Sequence, residues 1–196
     1  MDFNDTKEEA EFRSVVKAWL KENAPKSGKG GGRYDAVDVQ DEAIKEARNW
    51  QSKKAEAGYA AITWPKEFGG LGGTPIQSVI YSQEESNYNV PGGFFEIGLG
   101  MCIPTMMAWA TPEQNERYVK PALNGEEVWC QLFSEPSAGS DVAGIRTKAE
   151  KEGDDWIING QKVWTSGAHF SDFGIIVVRT DPNVPKHKGL SYFFLD

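Results

Sequence analysis

The chain has 196 residues, 39% of them hydrophobic and 26% charged, values ordinary for a soluble globular protein with its own core. Its formal net charge of −8 argues against a nucleic-acid partner, which needs a basic face, and against attraction to anionic membranes. The two cysteines match no disulfide or metal spacing, and no stretch resembles a signal peptide or a membrane span. We therefore expect a cytoplasmic protein without a metal site, a nucleic-acid partner or a membrane contact.

The first half of the chain carries the apolar spacing of helices. A first helix is predicted over 6–23, where Thr6 and Glu9 can form a capping box. A second helix is predicted over 39–57, and Gly58 is the residue expected to end it. The intervening glycine-rich stretch has no phosphate-loop pattern, so we interpret it as a flexible connection.

Two Thr-Pro pairs, at 74–75 and 111–112, predict the starts of two further helices, since Thr favours the N-cap and Pro the first helical position. The second of these is expected to end near 124–125. The stretch 99–110 is apolar nearly all round, which is typical of a buried central helix. Before them, 62–73 is a turn-rich segment with aromatic anchors.

The second half of the chain has the character of β-structure. Its segments are short, rich in β-branched and aromatic residues, and separated by turn signals at 153–155 and 159–160. We expect an α+β protein with an all-α domain at 1–126 and an incomplete antiparallel β-domain, barrel-like or sandwich, at 127–196. The predicted strands are 128–133, 145–151, 156–158, 174–179 and 190–195.

The stretch 131–141 has the composition of a phosphate-approachable turn. Pro136 cannot donate to a β-ladder, so the strand should end before it. The residues at 137–140 have little side-chain bulk and leave backbone N–H groups open to an anion such as a pyrophosphate. Ser134 places a hydroxyl where the edge of a heteroaromatic ring could bind. The alternative is a turn that only reverses the chain.

A second segment, 162–167, places Trp164 before Thr165 and Ser166. Alone, such a tryptophan is usually core or interface material, and such a turn only ends a strand. Taken with the first segment, it indicates a surface for a flat, polar-edged ring that carries a phosphate-bearing tail. The basic turn 185–189 has two interpretations, a contact to the phosphates of coenzyme A or a solvated loop.

These motifs together resemble the acyl-CoA dehydrogenase family of flavoproteins. The pattern FSEP-SAGSD is followed by NGQKVWTSGAHFSD, and upstream lie GYAAITWPKEFGGLGG and ATPEQNERYVKPALNGEE. The hairpin TKAEKEGDDWIINGQK fits as well. The resemblance covers nearly the whole chain, and several motifs in the right order make it specific.

The resemblance implies an N-terminal helical domain, a middle β-domain and a C-terminal four-helix domain that this sequence does not reach. It implies FAD as cofactor, with Trp164 against the ring, Ser166 near flavin N5, and Ser140 also near the acyl-CoA thioester. Family members often carry Thr where this chain has Ser134 and Ser166, and many carry Gly in place of Ser137. The implied cofactor-binding residues are Gln131, Phe133, Ser134, Gly139, Ser140, Trp164, Thr165 and Ser166.

The implied activity is α,β-dehydrogenation of an acyl-CoA thioester to the trans-2-enoyl-CoA, with electrons passing to flavin and on to an electron-transfer flavoprotein or similar acceptor. The family's catalytic Glu belongs to the C-terminal domain, so no residue here is assigned as a catalytic base. Glu84 and Glu85 are expected to face solvent or to cap helices.

Three alternatives stay open at the level of sequence. The chain is part of an enzyme for fatty acyl, branched or steroid side-chain substrates that forms homo- or hetero-oligomers when full length. Or it is a non-catalytic flavin- or CoA-binding subunit or fragment, completed by a partner chain. Or it does not fold stably alone, because its last strand leaves an apolar edge without a neighbour.

Overall fold

The structure is a computed structural model that describes residues 4–25 and 41–195, with helices first and strands after them. Most of the predicted glycine-rich connection and the first residues of the predicted helix 39–57 lie outside the described residues. The helices are α1 (Lys7–Asn23), α2 (Asp41–Glu56), α3 (Pro75–Glu85), α4 (Ile103–Trp109) and α5 (Pro112–Leu123). The strands are β1 (Trp129–Leu132), β2 (Lys148–Glu152), β3 (Asp155–Asn159), β4 (Phe173–Arg179) and β5 (Leu190–Leu195).

Three helices begin at the Thr residues that the sequence predicts, and each start is a capping box, of which only the one at Thr6 was predicted as such. The hydroxyls of Thr6, Thr74 and Thr111 each accept a hydrogen bond from the backbone N–H three residues on, and the Glu or Gln side chain there accepts one from the backbone N–H of the Thr. Gly58 follows α2 with φ of 79°, a left-handed conformation that glycine adopts without strain. The sequence predictions for these helix ends are confirmed.

The segment before α5 departs from its prediction. It begins with a π-helical turn at Gly98–Cys102 and continues as α4. Ile103 and Met106 are fully buried as expected, but Trp109 is 86% exposed and Met101 is 43% exposed. The helix is therefore confirmed, whereas its burial all round is wrong. One apolar side of it faces away from the described core.

The sheet is mixed, which corrects the prediction of an antiparallel domain. β2 pairs with β3, and β4 with β5, in antiparallel fashion, but β1 runs parallel to β4. β2 also runs parallel to β4 at a single register position. After β1 the chain forms the β2–β3 hairpin before it enters β4. Strand β4 then runs in the same direction as β1. The α+β class is confirmed, and among the residues that the structure describes the sheet does not close into a barrel.

The main hydrophobic core joins the helices to the sheet. Ile103, Met106 and Leu123 pack in one buried cluster with Trp129 of β1 and Ile175 of β4. This packing places the carboxyl end of β1 next to α4, where the chain leaves the sheet toward 131–141. Within the described ranges, no helix is long and apolar enough to cross a membrane.

Candidate functional site

The two motif segments meet where β1 ends. The backbone N–H of Val163 donates to the carbonyl of Ser134 at 2.9 Å. The Lys162 ammonium donates to the carbonyl of Phe133 at 3.0 Å. Residues that lie about thirty positions apart in sequence therefore form one surface, as the sequence interpretation requires.

A buried ion pair holds this junction together. Lys162 Nζ lies 2.9 Å from Glu135 Oε1, and the two side chains are only 5% and 4% exposed. The same carboxylate accepts the backbone N–H of Arg146 at 2.6 Å and that of Thr147 at 2.9 Å. Glu135 thereby ties three segments to one another: the end of β1, the approach to β2 and the start of the tryptophan turn.

The environment of Glu135 also argues against a role as a general base. Burial by itself would raise the pKa of this carboxyl, but hydrogen bonds from Thr147, Arg146 and Lys162 outweigh it and hold the pKa at about 2. A carboxylate that holds protons so weakly, and that is enclosed, is a poor general base. Sequence reasoning missed this pair, since the only available signal was two charged residues inside otherwise apolar motif segments.

Trp164 stands out in backbone conformation and exposure. Its φ is 60°, which makes it the one residue other than glycine with positive φ in the part of the chain that the structure describes. Its side chain is 89% exposed. A left-handed conformation costs a bulky residue roughly 1–2 kcal/mol, and such strain persists mainly where function requires it. Its exposure places Trp164 outside the core that the described residues form, which leaves a ligand surface or an interface as its role.

The residues after Trp164 provide polar groups. The Thr165 hydroxyl oxygen is buried and has no hydrogen-bond partner among the residues described. It is one of six such side-chain atoms among the described residues, and its place beside Trp164 lets it bond a ligand group there. Ser166 follows as an exposed residue.

The turn after β1 has an open backbone. Glu135 and Ala138 exchange two backbone hydrogen bonds, of 2.8 and 3.1 Å, which close a tight turn at Pro136 and Ser137. Past that turn, Gly139 has no heavy atom within 4 Å of the place where a Cβ would lie. The backbone there is approachable, as an anion-binding turn requires.

Gln131 and Phe133 lie on the other side of the strand end and line a cleft of about 470 Å³. Both residues are half-buried, and Tyr192 of β5 closes the cleft beside them. The cleft continues along the exposed side of the π-helical turn to Trp109. The end of β1 is thus open to a ligand on the side of α4.

The basic turn 185–189 reaches the same region. Lys186 Nζ lies 2.7 Å from Asp141 Oδ2, and both side chains are exposed. The pair links this turn to the end of the predicted anion-binding turn. Contact with coenzyme A stays a prediction, as does the solvated-loop interpretation.

Glu84 and Glu85 correct an expectation. Glu84 is buried and pairs with Arg13 at 2.8 Å. Glu85 accepts hydrogen bonds from the Trp50 indole and the Tyr81 hydroxyl, each at 3.0 Å. Neither residue faces solvent freely, because α3 packs them against α1 and α2.

A larger cleft, of about 900 Å³, lies elsewhere, between the end of α2, the turn at Lys66–Phe68 and α5. None of the predicted cofactor-binding residues lines it. We place the candidate site at the end of β1 instead, because the strained tryptophan, the Thr165 oxygen and the open turn come together there.

The arrangement fits a ligand with a flat ring, a polar edge and an anionic tail, and comparison with known proteins bears on its class. Residues 6–126 match the family model for the acyl-CoA dehydrogenase N-terminal domain, and residues 130–196 match that for the middle domain. The chain belongs to the acyl-CoA dehydrogenase family. The family resemblance seen in the motifs is confirmed.

Among acyl-CoA dehydrogenases, IpdE1 of Mycobacterium tuberculosis is 39% identical over 191 residues, which cover 94% of this chain and 48% of that protein. FadE34 of the same organism is 42% identical over 82% of this chain and 22% of its own length. The chain spans about half the length, or less, of the curated relatives it matches most strongly.

Solved structures show the same fold. The Tcur3481-Tcur3483 steroid ACAD matches with a TM-score of 0.79 and 28% identity, covering all of this chain and 49% of the other. The ChsE4-ChsE5 complex of Mycobacterium tuberculosis matches with a TM-score of 0.78 and 29% identity, over 99% and 48% respectively. Which residues of this acyl-CoA dehydrogenase chain contact a cofactor stays a prediction.

Proposed function

We propose that this chain supplies the flavin-binding part of an FAD-dependent acyl-CoA dehydrogenase, which converts an acyl-CoA thioester to the trans-2-enoyl-CoA. The observation that carries the proposal is the exposed, left-handed Trp164 beside the partnerless Thr165 oxygen, held against Ser134 by the Val163 hydrogen bond. Bound FAD supplies the redox chemistry, since it accepts the hydride that leaves the β-carbon of the substrate.

The chain's own residues bind and orient. Trp164 offers a large apolar plane for one face of a ring, while Thr165 and Ser166 offer hydroxyls to its edge. Gln131 and Phe133 line the side toward α4, and Ser134 lies beside the tryptophan turn through its hydrogen bond with Val163. The remaining assigned residues are Gly139, for the pyrophosphate, and Ser140, which also serves the thioester tail.

The base that removes the α-proton lies outside the residues described. Glu135 is enclosed and has a pKa of about 2, and Glu84 is held by Arg13. A second protein segment must therefore bring a carboxylate to the cleft beside Gln131. It comes from a further part of the same polypeptide or from a partner chain in a homo- or hetero-oligomer.

A second candidate is a flavin- or CoA-binding subunit that a different chain completes. The names of two similar solved structures, Tcur3481-Tcur3483 and ChsE4-ChsE5, each join two proteins. The 86% exposure of Trp109 next to the cleft is consistent with a surface that another segment covers.

Fatty acyl and steroid side-chain thioesters are the substrate classes we propose, with an electron-transfer flavoprotein or similar acceptor removing the electrons.

The test uses the complete gene product that contains this chain, loaded with FAD and mixed with acyl-CoA thioesters in the absence of oxygen. We expect the visible flavin absorption to bleach and an enoyl-CoA to form. Bleaching only after a partner chain is added supports the subunit alternative. The proposal would be contradicted by a folded, flavin-bearing protein whose flavin is reduced by none of the acyl-CoA thioesters, whether or not a partner chain is present.

A further inference from the structure

A second cleft, of about 420 Å³, adjoins the one beside the flavin-site strand. It runs between α2, the turn at Tyr59–Ala61, α3 and the segment that leads into the π-helical turn. Gly100 lines both clefts, and a Cβ at Gly100 would meet no heavy atom within 4 Å. The two spaces therefore meet at an open glycine.

The wall of this second cleft is partly bare backbone. Gly92 and Gly93 line it without side chains, and Gly93 has φ of 92°, which other residues rarely adopt. Each cleft on its own falls within the range of small-molecule sites. Their shared residue, Gly100, places the second cleft next to the one that Gln131 lines at the end of β1.

The second cleft has a polar part on α2 and α3. Lys54 and Glu85 line it, with Nζ and Oε1 3.7 Å apart and side chains about one-fifth exposed. Glu85 Oε1 already accepts from the Trp50 indole and the Tyr81 hydroxyl. Burial first, and then the neighbouring Glu85, raise the pKa of Tyr81, so its hydroxyl stays protonated and keeps donating.

The Lys54 ammonium has N–H donors that are available to a ligand. Its described contact is the 3.7 Å approach to Glu85, which is an ion pair and too long for a hydrogen bond. An ammonium carries three donors. A ligand oxygen that reaches the end of the cleft can therefore accept from Lys54 without displacing a hydrogen bond that holds the helices together.

The charges of the residues that line the cleft favour a neutral ligand oxygen over a carboxylate. Among its described lining residues, Lys54 is the single cation, and Glu85 and Glu96 are anions. Glu96 is occupied by backbone N–H groups, accepting from Gly93 at 2.7 Å and from Phe95 at 3.1 Å. The net charge of the lining is negative, so a carboxylate at the ligand's far end is disfavoured relative to a neutral oxygen.

We propose that the second cleft holds the distal end of the acyl group, and that Lys54 selects acyl-CoA thioesters whose distal end bears a neutral oxygen, a ketone or a hydroxyl. This inference rests on the proposed function, because the acyl group must enter from the flavin-site end. Lys54 is a specificity-determining residue here and takes no part in the oxidation itself. Its effect falls on binding, and therefore on KM more than on kcat.

The experiment compares three acyl-CoA thioesters with one ring skeleton, which carry at the far carbon a ketone, a CH2 group or a carboxylate. The FAD-loaded complete gene product, with its partner chain if it has one, is assayed as wild type, Lys54→Met and Lys53→Met. Lys53 is the matched control, an exposed lysine on the same helix that does not line the cleft. Flavin content and circular dichroism confirm that each variant is folded.

We expect wild type and Lys53→Met to favour the ketone over its CH2 twin by about tenfold to a hundredfold in kcat/KM, the range of one hydrogen bond to a charged group. Lys54→Met should lower that ratio to about one, through a higher KM for the ketone substrate. An equal ratio in wild type and Lys54→Met overturns the inference, as does a preference for the carboxylate. Oxidation of all three thioesters alike overturns it while the proposed function stands, and oxidation of none overturns both.

Discussion

Trp164 combines strain with exposure, and neither property stabilises a fold. An exposed indole contributes little packing, and its left-handed backbone costs free energy. Glu135 is its opposite, a charged residue that the fold encloses fully and satisfies with three donors. The sequence pointed to Trp164 through its motif. It did not reveal the Glu135–Lys162 pair, because 27 residues separate the two and only the folded chain brings them together.

Replacing Trp164 tests the strain directly. We expect Trp164→Asn to raise the free energy of unfolding by about 1 kcal/mol, because Asn tolerates the left-handed region. The matched control is Trp156→Asn, an exposed tryptophan on β3 that lacks positive φ. That change should lower stability, since Asn is a poor strand residue. Denaturant titration measures both, and an equal loss in the two variants would count against the strain.

Glu135 predicts a pH dependence of stability. Its pKa lies at about 2 in the folded protein against an ordinary 4.5, so its ionised form stabilises the fold above pH 4.5 and that contribution is lost as the pH falls toward 2. The shift corresponds to about 3 kcal/mol. The gap in unfolding free energy between wild type and Glu135→Gln should narrow by that amount over this range.

The control for this pH series is Glu150→Gln, which removes an exposed carboxylate paired with Lys148. Its gap to wild type should stay small and flat from neutral to acidic pH, because exposed pairs contribute little. A Glu135→Gln gap that is equally flat would show that the carboxyl has no depressed pKa.

At the scale of elements, the signals that predicted structure correctly were local. A Thr at the N-cap and a Pro or an acid in the first turn lie within four residues of one another, and all three predicted helix starts formed. The exposed side of α4 was not predictable in this way. Its composition is apolar all round, and only the packing of β1 and α5 decides which side is covered.

The cap of α5 supplies the element-scale prediction. Thr111→Ala should lower the free energy of unfolding by about 1 kcal/mol, since the Gln114 N–H loses its acceptor. Thr111→Ser keeps a hydroxyl and should lie close to wild type in the same chemical denaturation. If Ser cost as much as Ala, the capping box would not be the source of stability.

At the scale of the molecule, the sequence predicted the division into helices and sheet but not how the strands pair. Antiparallel neighbours can be inferred from a turn, as for β2 and β3 across Gly153. The parallel pairing of Trp129 with Phe173 joins residues 44 positions apart and carries no local signal. The sequence pattern of the strands alone therefore could not predict a mixed sheet.

We propose a domain boundary between residues 126 and 127. The core that the two domains share leads to a prediction about how they unfold. Since Met106 and Leu123 pack with Trp129 and Ile175, the two parts should unfold together. Thermal unfolding of the 196-residue chain, followed by far-ultraviolet circular dichroism and by tryptophan fluorescence, should give one coincident transition. Two separated transitions would mean that the helical part and the sheet are independent.

The central claim is that the junction of Ser134 with the Trp164 turn is the flavin site. The measurement that tests it most directly is the visible absorption spectrum of the complete gene product after FAD is added and the excess removed, for wild type and Trp164→Asn. Retained flavin bands in wild type, with most of the flavin lost from the equally folded variant, is the result we predict. A folded wild type that stays colourless, or a variant that retains flavin as fully as wild type, would contradict it.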